Sequence, residues 1–354
     1  MAFQNPSAIR RKLLSWYGKH RRDLRWRKTS DPYAIWIAET MLQQTQVSTV
    51  TPYYEKFIGQ LPSIHALHRA PLRTVLALWS GLGYYRRAEN LKKSAAEIVR
   101  KHGGDLPKDY RALLALPGVG DYTAGAIMSI AFQKPYPAID GNARRVLHRL
   151  FGPSNHKELQ RVAALLVPRA RPGYFNQGLM DLGATVCIPR NPHCPRCPIA
   201  SHCAARANGK PIESFWTAKS RLTRDIQWPL AIVRHRQKVL LRQRTRQGLL
   251  AGLWEFPGGE QSSSESARDL LGSQLAELNA RFPSERRIGA FRHSITNRKI
   301  RSSVFLFDLP KDKKLRLPNH RWRWLSVPSI RDFPVSSMTF KAAQILAHHE
   351  KSSD

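Results

Sequence analysis

The chain has 354 residues, more than one ordinary domain holds and about right for two. Hydrophobic residues make up 42%, enough for packed cores, while 58 Lys and Arg stand against 25 Asp and Glu, a net charge of +33. This composition excludes a membrane-spanning protein, a secreted disulfide scaffold and a disordered tail; so basic a chain needs a polyanion, nucleic acid before an acidic membrane surface. The charge is spread evenly: 35 basic and 14 acidic residues through Ile226 give +21, and 23 and 11 from Gln227 onward give +12. Residues 1–20 hold no apolar signal-type run, so export is not expected.

Ile35, Ala38, Leu42 and Thr45 recur at helical spacing and predict one helix over 33–50. Glu39 lies beside that apolar stripe. It is either a partly exposed glutamate at the edge or a desolvated carboxyl with a raised pKa, suited to general acid work. The segment Gly81-Leu82-Gly83-Tyr84-Tyr85, followed by Arg86 and Arg87, reads as a loop near phosphates, with Tyr84 as a core aromatic in the alternative. Short helices are predicted over 109–116 and 124–132, joined by Leu116-Pro117-Gly118-Val119-Gly120. That joint is an ordinary helix connection or a hairpin whose backbone N–H groups grip one phosphate, Gly118 and Gly120 leaving the amides accessible. Asp140 precedes a predicted helix over 143–150 and reads as an N-cap, a place that also keeps a carboxylate ionised.

All four cysteines fall in one stretch, Cys187, Cys194, Cys197 and Cys203, with none left for a disulfide elsewhere. A reducing cytoplasm is the natural setting. A structural zinc site usually shows two separated C-x2-C knuckles; here one such pair sits in a single loop stiffened by Pro189, Pro192, Pro195 and Pro198. Four thiolates from one compact loop suit the closely spaced irons of a cubane cluster better. Residues 204–226 lack periodicity and read as a linker, most clearly 208–226. Strands are predicted over 229–233, 239–241, 302–307 and 321–325. Basic residues alternate through Arg234, Arg236, Lys238, Arg242, Arg244 and Arg246, as on a charge-protected edge strand or a face turned to DNA.

The cysteine spacing and the string LPGVGDYTAGAI resemble the endonuclease III superfamily of helix-hairpin-helix DNA glycosylases. Together with IAETMLQQTQV, GLGYYRRAENL and AIDGNARRVLHRL, in that order, they resemble the MutY-type adenine glycosylases densely over 23–203. The resemblance implies an all-α helix-hairpin-helix glycosylase domain over 1–207, with a 4Fe–4S cluster on Cys187, Cys194, Cys197 and Cys203. The cluster would order a loop whose Arg190 and Arg196 meet DNA phosphates, a structural role being favoured over a redox one. It implies that Glu39 protonates adenine at N7, and that Asp140 stabilises an oxocarbenium-like sugar by charge or a transient adduct. Tyr122 and Asn142 accompany them in the catalytic group. Tyr122 stands where bifunctional relatives carry an imine-forming lysine, so the chemistry should stop at an abasic site. Gln44 and Tyr84 match positions that fill or wedge the stack vacated by a flipped base, and Arg27 one that lines the adenine pocket. Arg86, Gly118 and Gly120 are carried over as DNA-backbone contacts.

Gly252-Leu253-Trp254-Glu255-Phe256-Pro257-Gly258-Gly259 resembles the strand–turn of the Nudix fold, an α+β domain expected over 227–350. Its hydrolase motif is broken, with Ser273 and Gln274 where Arg-Glu is required. In adenine glycosylases such a domain reads 8-oxoguanine with a Phe-Ser-His tip. Here the tip is Ile295-Thr296-Asn297, which puts selectivity for the oxidised base in doubt, although Thr296 keeps a hydroxyl and Asn297 both donor and acceptor. The implied partner is double-stranded DNA with A:8-oxoguanine or A:G mispairs, met by a monomer in a bacterial cytoplasm at the nucleoid. Two rivals stand beside this: a thymine glycosylase for G:T mispairs, and an iron–sulfur DNA-binding protein without catalysis.

Overall fold

The computed structural model describes residues 5–209, 223–245, 247–280, 282, 285–310, 312–313 and 315–351. Most of the expected linker, and Arg246 of the basic segment, lie outside the described residues. Contacts divide the chain into two compact units, Met1–Ala70 with Glu89–Lys219 and Pro71–Ala88 with Ser220–Asp354. In chain order the helices run α1 (Pro6–His20), α2 (Pro32–Met41), α3 (Val47–Gln60), α4 (Ile64–Arg69), α5 (Leu72–Leu78) and α6 (Arg86–His102). They continue as α7 (Tyr110–Leu114), α8 (Asp121–Ala126), α9 (Gly141–Phe151), α10 (His156–Leu166), α11 (Pro172–Thr185) and α12 (Ala204–Ala207).

The first unit is helical because its apolar residues recur with helical period and its chain carries caps where helices must start. Asn5, Asp31, Asp140 and Asn155 each accept a backbone N–H at the head of α1, α2, α9 and α10. Ile9 and Leu13 of α1 pack with Val146 and Leu150 of α9, Leu159 of α10 and Phe175 and Leu182 of α11. This core backs directly onto Cys187, Cys197 and Cys203.

Two expected helices start or end elsewhere. The single helix over 33–50 is two, α2 and α3, because Gln44 takes a left-handed conformation (φ 57°) that an α-helix cannot continue through. Gln43 in the same break donates from Nε2 to Thr123 Oγ1 at 3.0 Å, tying the turn to α8. The second hairpin helix begins at Asp121 rather than 124, with Gly120 as its N-cap, and runs from Ala126 into a π-turn over Ile127–Ala131. Gly118 has φ 77°, and a Cβ there would stand 2.7 Å from Asn90, so only glycine suits this corner.

Gly125 is required for a different reason. A Cβ on it would lie 1.9 Å from the carbonyl oxygen of Pro137, in the extended segment that delivers Asp140. Helix propensity alone would make Gly125→Ala stabilising by up to ~1 kcal/mol. Overpacking against backbone costs ~1–3 kcal/mol and should win. The variant is expected to melt below the parent in a thermal scan; a higher midpoint would show that the backbone yields freely.

The second unit contains, among the described residues, seven strands. They are β1 (Arg224–Gln227), β2 (Leu230–His235), β3 (Lys238–Gln243), β4 (Trp254–Glu255), β5 (Glu285–Ile295), β6 (Arg298–Asp308) and β7 (Trp322–Ser326). Helices α13 (Ala267–Leu275) and α14 (Ser337–Lys351) complete it. The long strand β6 pairs in parallel with β1 and β2 and antiparallel with β5, giving a mixed sheet. Alternate residues of β2 face opposite cores: Leu230 and Ile232 pack toward Met338 and Leu346 of α14, Ala231 and Val233 toward Leu270 and Leu271 of α13. Burial on both faces explains why this strand reads as a continuous apolar run.

The alternating basic segment is not the expected edge strand. Strand β3 lies between β2 on one side and β4 and β7 on the other, so it is no edge. Arg244 donates to the buried Glu255 at 2.7 Å, Arg242 to Gln274, and Arg234 to Asp308 at 2.6 Å and Glu350 at 3.0 Å. Arg234 and Arg244 are ion-paired within the protein, while Arg236 and Lys238 are exposed. Burial pushes Glu255 up to about 7 even so, opposed by Arg244 and Arg242. Gln274, where a Nudix hydrolase carries glutamate, serves here as an acceptor for Arg242.

Candidate active site

Glu39 comes from the last turn of α2, and its residue is 4% exposed. Tyr122, in the first turn of α8, donates its hydroxyl to Glu39 Oε2. Burial pushes Glu39 from 4.5 up to about 7; the Tyr122 hydrogen bond and the Arg27 charge pull it down, and the Asp140 charge adds to the rise. Of the two expected states, the desolvated acid is the one found. Tyr122 is held well above the ordinary phenol range by burial and by the Glu39 and Asp140 charges, so at neutral pH it is a donor.

Asp140 caps α9, accepting Ala143 N–H at 2.6 Å through Oδ1 and Asn142 Nδ2 at 3.1 Å through Oδ2. Its carboxyl group is enclosed although the residue keeps part of its surface open. Burial raises its pKa, against the hydrogen bonds of Ala143 and Asn142 and the Arg145 charge. The helix N–H groups favour the ionised form, as expected, but burial opposes them. Desolvation outweighs the cap, and both acids rise, Glu39 to about 7.

Arg27 closes the short 3-10 turn of Arg25–Arg27 and forms a fork on Asp181, with Nη1 to Oδ2 at 2.6 Å and Nη2 to Oδ1 at 2.9 Å. Burial alone would lower its pKa, but the Asp181 contacts keep it raised and charged. Asp181 itself is fully buried in α11 and also takes Arg22 at 2.6 Å. It is a residue the sequence reading missed. The available signal was one carboxylate inside the apolar run Gly178-Leu179-Met180-Asp181-Leu182-Gly183, which demands a cationic partner.

The cysteine loop joins α9 through two arginines. Arg145 donates to Asn142 Oδ1 at 2.8 Å, to Gly183 O at 2.6 Å and to Cys187 O at 2.8 Å. Arg149, 5% exposed, donates to Ile188 O at 2.7 Å, Pro189 O at 2.8 Å and Cys187 Sγ at 3.2 Å. Cys187, Cys194, Cys197 and Cys203 line one cavity with Arg149 and Arg206. Among the described residues no three His, Cys, Asp or Glu side chains form a ready single-ion site. Burial pushes the Cys197 thiol up to about 11 and also raises Cys203, with the neighbouring thiols adding to both rises. Four thiols lining one cavity form a soft donor set that fits a thiolate-held metal group. Arg190 and Arg196 of the loop are exposed.

Not every candidate joins this group. Tyr84 and Arg86 belong to the second compact unit with Thr296 and Asn297. Arg86 is exposed, but Arg87 is 8% exposed and stacks on Trp79 and Tyr84, each at 5.3 Å, so it is corrected from phosphate contact to scaffold. Gln44, Tyr84 and Thr296 are all exposed non-glycine residues with positive φ, 57°, 50° and 54°. Thr296 and Asn297 form the two-residue turn between β5 and β6, while Ile295 is half-buried and packs on the sheet core, so Thr296 tops the hairpin.

A family model for the HhH-GPD superfamily of base excision DNA repair proteins matches residues 37–169, and one for the NUDIX domain matches 230–344. The chain is 35% identical over 327 residues to the adenine DNA glycosylase of Buchnera aphidicola subsp. Acyrthosiphon pisum, covering 89% of this chain and 91% of that protein. It is 34% identical over 403 residues to the adenine DNA glycosylase of Homo sapiens, covering 96% and 74%. Among solved structures, a thermostable thymine-DNA glycosylase matches with TM-score 0.55 at 35% identity, over 57% of this chain and 97% of that one. An endonuclease III–DNA covalent intermediate matches with TM-score 0.51 at 24% identity, over 58% and 99%, and shares the fold. No helix among the described residues is long and apolar enough to cross a membrane. A helical domain of the HhH-GPD type followed by a Nudix-like α+β domain, with near full-length likeness to curated enzymes, places the chain in the adenine DNA glycosylase family.

Proposed function

We propose that the chain removes adenine mispaired with 8-oxoguanine or guanine from duplex DNA and leaves an abasic site. The observation that carries this reading is Glu39: a buried carboxyl at about 7 that receives the Tyr122 hydroxyl, in the electrostatic range of Asp140. Protonated Glu39 donates to N7 of the flipped adenine as the bond from N9 to the sugar C1′ breaks. The electron pair leaves with the base, and positive charge develops on the sugar. The Asp140 carboxylate, aimed by Ala143 N–H and Asn142, faces that charge, and water then adds at C1′, giving its proton to the Glu39 carboxylate and restoring the acid. Tyr122 offers a hydroxyl where an imine route needs an amine, so the strand stays intact.

Cys187, Cys194, Cys197 and Cys203 would hold a 4Fe–4S cluster, which would order the loop bearing Arg190 and Arg196. Gly118 and Gly120 would meet one phosphate by backbone, Arg86 another, and Arg27 would border the base pocket. Gln44 and Tyr84 would fill the stack. The experiment that tests the activity is incubation with duplexes carrying A:8-oxoguanine, A:G, A:C and T:G, followed by alkali. Product from the adenine duplexes only after alkali is expected. Product from T:G alone, as the structural likeness to a thymine glycosylase would allow, overturns the reading.

The tip predicts the opposite-base preference. A partly buried Ile295 in the aromatic position removes a stacking group, so single-turnover rates on A:8-oxoguanine and A:G should differ by less than ~10-fold, the worth of roughly one stacked base. A ratio above 100 (about 2.7 kcal/mol) would show that Thr296 and Asn297 read the oxidised base unaided.

A further inference from the structure

The second compact unit contains, besides the Nudix-like sheet, the segment Pro71–Ala88 with the exposed Tyr84. Among the described residues, two side chains of that segment bond the same backbone residue, Val335. Ser80 Oγ donates to Val335 O at 2.7 Å and accepts Val335 N–H at 3.0 Å. Tyr85 donates its hydroxyl to the same carbonyl at 2.6 Å and accepts Gly81 N–H at 2.9 Å. Val335 is fully buried in the core between the sheet and α14, and it bridges Trp254 of β4, whose N–H bonds Pro334 O at 2.8 Å.

Tyr84 sits between Ser80 and Tyr85 in chain order on a left-handed residue, 45% exposed, with Gly81 and Gly83 also at positive φ. Trp79 Nε1 and Arg87 Nη2 both donate to Gly83 O, at 3.0 and 3.1 Å, so the loop is braced on its inner side. A strained, exposed aromatic persists only where surrounding bonds over-determine its backbone: Arg87 N–H bonds Tyr84 O at 2.9 Å, and Ser80 and Tyr85 anchor the two ends of the loop on Val335. The Thr296–Asn297 turn lies in the same unit, at the end of the strand pair β5–β6. Glu39, Tyr122 and Asp140 lie in the other.

We propose that Ser80 and Tyr85 are positioning residues that fasten the Tyr84 wedge to the opposite-base-reading unit through Val335. The inference rests on Tyr84 acting as a wedge in the reaction proposed above. It gives the Nudix-like unit a second role, since that unit then presents the aromatic that enters the stack as well as reading the base across from adenine. Neither hydroxyl touches DNA in this scheme; both act through the backbone of Tyr84.

The test is a mutant cycle on the full chain, with single-turnover adenine release at saturating enzyme and the fluorescence of 2-aminopurine beside the target adenine as readouts. Tyr84→Ala and the pair Ser80→Ala with Tyr85→Phe are each expected to slow release ~10-fold and to lower the 2-aminopurine signal alike. Combined, they should still lose only ~10-fold, since a wedge already absent cannot be misplaced. Losses that multiply to ~100-fold, or a paired variant with unchanged release and fluorescence, overturn the inference. If the pair melts below assay temperature, Tyr85→Phe alone, which keeps the ring, carries the same cycle, and Ser80→Thr should retain parental rates. Tyr84→Ala without effect, or a parent that releases no adenine, would instead count against the function on which the inference rests.

Discussion

Asp140→Asn should abolish adenine release, slowing it by ~10³-fold or more, while the protein folds as before. The two roles of Asp140 separate cleanly in this substitution. As an N-cap, Asn serves as well as Asp, because either side-chain oxygen can accept the Ala143 N–H. As the partner of a developing sugar cation, Asn fails, since it has no charge. Removing one preorganised electrostatic group from a water-poor site costs ~10²–10³ in rate, and removing a full charge opposite a cation costs more. Burial already disfavours the charged form of Asp140, so the neutral side chain should not lower the thermal midpoint. Asp140→Ala, in contrast, should lose both rate and about 1 kcal/mol of cap. Single-turnover kinetics beside thermal melts decide the matter. An Asn variant with parental rate would reduce Asp140 to its structural role.

The second large effect concerns pH. Glu39 must carry its proton to act as an acid, so the rate should fall as pH rises through about 7. Glu39→Gln should remove this limb and ~10²–10⁴ of the rate, the range that positioned acids supply. Tyr122→Phe should move the limb in a direction that the hydrogen bond dictates. The hydroxyl donates to the carboxylate and favours its charged form; without it the proton is held to higher pH, and the limb shifts upward. A pH–rate profile of the Phe variant that stays in place, or moves down, would refute this assignment. Stability has the opposite cost. With Glu39 raised from 4.5 to about 7, the folded state is penalised progressively as pH climbs through that window, by ~3 kcal/mol above it. Glu39→Gln should accordingly melt higher than the parent at pH 8 and hardly differ at pH 4.

Much of the site is carried by local spacing. The cysteine loop, the Pro-Gly-Val-Gly corner and the cap at Asp140 are contacts between residues a few positions apart, so order along the chain is nearly enough to find them. Gln44 and Arg87 show where this stops. Both sit in strings whose period or charge is unambiguous, yet one breaks a helix and the other turns inward onto Trp79 and Tyr84. A basic side chain on a loop looks alike in sequence whether its guanidinium faces solvent or an indole ring, because only the neighbouring fold supplies the ring.

The same holds for the +33 excess with which the chain first presents itself. The sequence by itself determined that a polyanion is met, that four thiols share one short loop, and that one acid on a helix and one at a helix head follow a glycosylase-like order. Only the tertiary structure decided which cations remain for DNA. Arg27 is spent on Asp181, Arg234 on Asp308, and Arg244 on Glu255, while Arg86, Arg190 and Arg196 stay exposed. It also decided that both acids rise, and that Ser80 and Tyr85, on either side of Tyr84, bond Val335, 255 and 250 positions further along the chain. The physical reason is common to all three. Desolvation and ion pairing depend on what surrounds a group in space, and residues far apart in sequence supply those surroundings only once the cores have closed.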